Sequence, residues 1–163
     1  MRFNILPAAV LVLTLLPVNA QQSLHQGHPA PAPGVQSSSG GGAREFVKFP
    51  AMMVEHTLAN MRDHLAALQE MNEHLGMGHP EVAAKISEER LGMSSLGLHG
   101  AQHSAQFMPK GMQDIGSEMH RAASRFAVVA RDAGVTGDMK PVFAAIGAIT
   151  AQCVGCHAAY RIK

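Results

Sequence analysis

From Pro50 to about Leu75 the apolar residues Val54, Leu58, Met61, Leu65 and Leu68 recur at steps of four and three. That spacing places them on one stripe of a helix. Pro50 suits the first turn, where its missing N–H leaves nothing unbonded, and Gly76 and Gly78 end the pattern. Pro80 opens a second helix with Val82, Ala83, Ile86 and Leu91 inward, running to about Leu98 and weakened by Gly92 and Gly97. Pro109 opens a third, with Met112, Ile115, Met119, Ala122, Phe126 and Val129 inward and Gly134 as its stop. Pro141 sits in the first turn of a fourth, where Val142, Ile146, Ile149, Cys153 and Cys156 form the stripe. No segment alternates like a strand. Four helices joined by short Gly/Pro turns predict an all-α fold, an antiparallel four-helix bundle.

The amino-terminal pattern is different. Arg2 precedes an almost wholly apolar run, Ile5 to Leu16, and Val18-Asn19-Ala20 offers small residues for cleavage. Residues 1–20 therefore read as a secretory signal peptide. No cysteine follows the run, which argues against a lipoprotein, and no later run is expected to cross a membrane. Residues 21–44 hold Pro-Ala-Pro-Ala-Pro-Gly and Ser-Ser-Ser-Gly-Gly-Gly, the composition of a disordered linker. His25 and His28 within it are read as solvated. Residues 45–163 form one helical domain.

Charge changes the picture only by exclusion. Without residues 1–20 the chain carries 12 basic and 12 acidic side chains. That balance lacks the basic stripe of a nucleic-acid binder. Aromatics are few, with six Phe, one Tyr and no Trp, so aliphatics, Ala and Met supply the core. His64, His74, His79, His99 and His103 read as surface residues, and His120 as a half-buried hydrogen-bonding one. The 11 Met and 10 His would suit a copper-binding protein, but most of the methionines fall on buried stripes and the histidines are not expected to cluster. Glu81, Glu88 and Glu89 read as a solvated helix face. No nucleophile and base stand out together, so no enzyme is expected.

The two cysteines of the chain stand in Cys153-Val154-Gly155-Cys156-His157. This is the attachment signature of a c-type haem. Each thiol adds to one vinyl group of the porphyrin, and the two-residue gap lets one helical turn span the ring edge. His157 then lies under the iron as proximal ligand. A dithiol redox pair does not need the histidine at this offset, and a structural zinc site needs another ligand pair. Export fits the same reading, because c-type haem is attached outside the cytoplasm in bacteria.

At this point the chain resembles the class II c-type cytochromes, the cytochrome c-prime and cytochrome c-556 group. The motif lies at the extreme C-terminus on the last of four helices and continues as His157-Ala-Ala-Tyr160-Arg161, where the family often has an aromatic and then a basic residue. The resemblance covers roughly residues 46 to 163. It implies one covalent haem c, with Cys153 and Cys156 as thioether anchors and Arg161 near a propionate or the proximal side. It also implies a distal neighbour at the start of the first helix. Met53 is the first candidate and Met52 and His56 are the alternatives; Lys48 stands where an arginine would be expected. The implied function is single-electron transfer in the periplasm with periplasmic redox partner proteins, with a homodimer as an expected assembly. The alternative is a haem protein with an open distal site that binds nitric oxide or carbon monoxide.

Overall fold

The computed structural model describes residues 44–162. The signal-peptide reading and the linker reading, Arg44 excepted, fall outside the described residues. The elements in order are β1 (Glu45–Val47), α1 (Ala51–Gly76), α2 (Pro80–Arg90), the short α3 (Ala101–Ala105), α4 (Lys110–Thr136), α5 (Lys140–Ala159) and β2 (Tyr160–Ile162). A proline stands at or beside the start of each long helix: Pro50, Pro80, Pro109 and Pro141. The ring fixes φ near its helical value and omits an N–H that the first turn cannot bond.

The helix ends differ from the sequence pattern at two places. α4 runs through Gly134 and stops at Gly137, whose φ of +73° is the left-handed turn that glycine adopts without strain. α2 stops at Arg90, well short of Leu98. The N–H groups of Leu91 and Gly92 both bond the Ser87 carbonyl, at 2.9 and 2.7 Å, and a single 3₁₀ turn, Met93–Ser95, follows. The chain then turns through Gly100, at φ +58°, into α3.

Four major helices pack together, as the periodicity predicts: α1 on α2, α2 on α4, and α4 on α5. Among the described residues, no comparable packing joins α1 to α5. The main core is built from Ala67, Met71 and Leu75 of α1, Ala83 and Ala84 of α2, Leu91 just beyond it, Phe126 and its neighbours on α4, and Val142 and Ile149 of α5. Alanines bring α2 and α4 close enough for the buried Ser87 hydroxyl to donate to the Ala123 carbonyl at 3.0 Å.

The α1 stripe is rotated from its expected position. Leu65 is 69% exposed, while Met53, Thr57, Ala67, Met71 and Leu75 are buried. Val54, Leu58, Met61 and Leu68 take half-buried places.

Two further differences concern the ends of the domain. β1 and β2 form a parallel pair, with Glu45 opposite Tyr160 and Val47 opposite Ile162. Three residues are too few for an alternation signal. In addition, α5 is long and apolar enough to cross a membrane by length and composition, with a mean hydropathy of 1.5, contrary to the expectation that no such run follows the leader. Only 11% of that window is buried, and Phe143 and Val154 are 61% and 69% exposed.

Candidate functional site

Cys153 and Cys156 lie three residues apart on α5, so their side chains share one helix face, and His157 follows within the same turn. The helix continues to Ala159 and turns extended at Tyr160, which begins β2. Both cysteines are unpaired and half-buried. Burial pushes both thiols above the ordinary thiol range. Reactive redox cysteines show the opposite shift, so the local electrostatics do not favour a thiolate pair.

A cleft of about 310 Å³ opens beside the motif, lined by Met61, Met112, Cys156, His157, Tyr160 and Ile162, with Arg44 and Arg161. The strands place the two arginines. Arg161 follows Tyr160 on β2, and its guanidinium stands 5.8 Å from the centre of the Phe46 ring on β1. Arg44, just before β1, donates from Nη1 to the His157 carbonyl at 3.4 Å. Gly111 on α4 leaves the room that the Tyr160 hydroxyl occupies; a Cβ there would collide with it.

The cleft borders a second apolar cluster. Val47, Phe49, Met53 and Met112 are buried in it, and Cys156, Tyr160 and Ile162 pack against it. The three distal candidates thus stand in different surroundings. Met53 shares this cluster with Cys156. Met52 is 81% exposed. His56 donates from Nε2 to the His99 carbonyl at 2.9 Å, beside Asn60. Met61, read from the sequence as core, lines the cleft instead. Arg44 was assigned to the linker and carries no sequence signal for this position; only the β1–β2 pairing brings it here.

The histidines depart furthest from expectation. His99 is buried rather than at the surface, and His64 is half-buried. His120 is buried and hydrogen-bonded through Nδ1 to the Leu91 carbonyl at 2.7 Å. The rings of His64, His99 and His120 pack together, with centres 4.6, 5.7 and 6.2 Å apart. Helical spacing does not reveal this, because the three come from α1, the connection after α2, and α4.

No family model, curated protein or solved structure matches this chain.

Proposed function

We propose that the chain is an exported, monohaem c-type cytochrome that carries single electrons in the periplasm. The observation that carries the reading is the placement of Cys153, Cys156 and His157 on one turn of the last long helix, beside a cleft walled by Met61, Met112 and Tyr160. The donor set fits the group: two thiols on one helix face and an adjacent imidazole. When bound, haem c supplies a ferric/ferrous couple.

The chain's own residues do the rest. Cys153 and Cys156 would hold the porphyrin through their thiols, and His157 would offer its imidazole to the iron. Met112, Ile162 and Tyr160 limit water at the cleft, and Arg44 and Arg161 are the cations nearest to it, suited to propionate carboxylates. Met53 is the proposed distal ligand, since it comes from α1 and is buried in the cluster against which Cys156 packs. On this reading the chain is a class II cytochrome, an electron carrier with no step that calls for a general base or a nucleophile.

The test is extraction. In the mature protein made by a host that attaches haem, the group should stay with the polypeptide in acid-organic solvent. Release of the haem, followed by alkylation of both thiols, would refute the reading. Cys153→Ala or Cys156→Ala should leave one linkage and a lower yield of holoprotein, and His157→Ala should remove the proximal ligand.

A further inference from the structure

Three imidazoles from three separate segments meet inside the bundle, away from the haem motif. Their ring centres stand 4.6, 5.7 and 6.2 Å apart. A backbone carbonyl can only accept a hydrogen bond, so the partners of two rings fix where their protons are. His99 Nε2 lies 2.8 Å from the Arg90 carbonyl, and His120 Nδ1 lies 2.7 Å from the Leu91 carbonyl. Each of those nitrogens carries the proton. His99 Nδ1 and His120 Nε2 therefore hold lone pairs. The third ring contributes a buried nitrogen with no partner, His64 Nε2.

This is the protonation pattern of a metal-binding set. A ligating histidine donates its other ring N–H to a carbonyl or carboxylate, which fixes the tautomer and the ring orientation. Burial lowers the His64 pKa to about 4, with the neighbouring histidines adding to the effect, so the ring is unprotonated at neutral pH. The nearby Arg90 does not leave an unopposed positive charge: it is paired with Asp63 at 2.5 Å and Glu70 at 2.8 Å. Imidazoles bound to one ion through M–N bonds of ~2.0–2.1 Å hold their ring centres roughly 4.5–5.5 Å apart. Among the described residues, no group of three His, Cys, Asp or Glu side chains is placed to hold a metal ion as the structure stands. Closure around an ion requires His120 to draw in toward both partners, from 5.7 Å to His64 and from 6.2 Å to His99.

We propose that His64, His99 and His120 form a site for a divalent first-row transition ion of imidazole preference, such as Zn²⁺, separate from the haem. The ion would tie α1, the connection after α2, and α4 together at a place where packing alone leaves a nitrogen unsatisfied. A single water bridging the three rings would satisfy the same nitrogens, and the experiment separates the two.

The mature holoprotein is stripped with a chelator and equilibrated with Zn²⁺ alone, and bound zinc is counted by atomic absorption. One zinc per chain is expected. His64→Gln and His120→Gln should each weaken binding about tenfold or more, with far-UV circular dichroism confirming that both variants remain folded. His74→Gln and His79→Gln change a second histidine pair, 6.0 Å apart at the α1–α2 turn, and should leave binding unchanged. Zinc-edge X-ray absorption of the unmutated protein provides an arm that does not depend on variant folding: three imidazole nitrogens at ~2.0–2.1 Å are expected. No bound zinc, loss of binding through His74→Gln or His79→Gln, or fewer than three imidazoles in the zinc shell would overturn the proposal.

Discussion

Burial around Cys153 and Cys156 raises both thiols above their ordinary range. At any given pH a smaller fraction is therefore thiolate, the form that reacts with alkylating agents. In the mature chain made without haem, the alkylation rate should rise with pH along a curve displaced to the alkaline side of that for a free cysteine. Coincident curves would mean that the thiols are open to solvent. On the proposed haem reading, the candidates for the sixth iron position on α1 can be told apart by spectroscopy. Thioether ligation should give low-spin ferric iron with a weak charge-transfer band at the red end of the visible spectrum. The band should vanish in Met53→Ala and persist in His56→Ala, whose Nε2 is already engaged by the His99 carbonyl. High-spin iron with rapid carbon monoxide binding on reduction would instead favour the gas-binding function. At this scale the sequence places Cys153, Cys156 and His157 together by spacing alone, and the structure keeps them on the last turns of α5. The sequence is silent on Arg44, Met61 and the three packed histidines, because their surroundings come from segments far away along the chain.

Among the elements, α4 contributes most to the core, and Phe126 is its largest fully buried side chain. Phe126→Ala should cost about 3–5 kcal/mol in urea unfolding; a loss below about 1 kcal/mol would place the ring outside the core. Where helices begin was legible, since the prolines at 50, 80, 109 and 141 constrain the backbone whatever packs later. Where α2 ends was not. Gly92 marks a weak point in the pattern, but only the tight bonding to the Ser87 carbonyl makes it a terminus. The α1 face was only partly legible, because the stripe of Val54, Leu58, Met61 and Leu68 lies half-buried at the edge of the face that its neighbours cover, on Met53, Thr57, Ala67, Met71 and Leu75.

The described helices pack in succession, α1 on α2, α2 on α4 and α4 on α5, and α5 is apolar yet keeps one open side. The mature chain made without haem should therefore show lower helicity and a lower melting temperature than the holoprotein by circular dichroism. Equal values would make the haem peripheral to the fold. Phe143, 61% exposed, lies away from the attachment turn. Phe143→Lys should change holoprotein stability by no more than about 0.5 kcal/mol; a larger loss would reveal that this face is covered. Fold class was legible from periodicity, but the open side was not, because a stripe shows which residues avoid water and not which helix, or which cofactor, shelters them.

The β1–β2 pair has a consequence for chain topology. Because Glu45 lies opposite Tyr160 and the strands run parallel, the two ends of the helical domain are held about a strand's length apart, roughly 10 Å for three residues. Such a domain is suited to circular permutation. A short flexible link from Ile162 back to Glu45, with new termini opened in the connection between α2 and α4, would keep every long helix intact. The attachment motif would then lie in mid-chain, with the same neighbours around it.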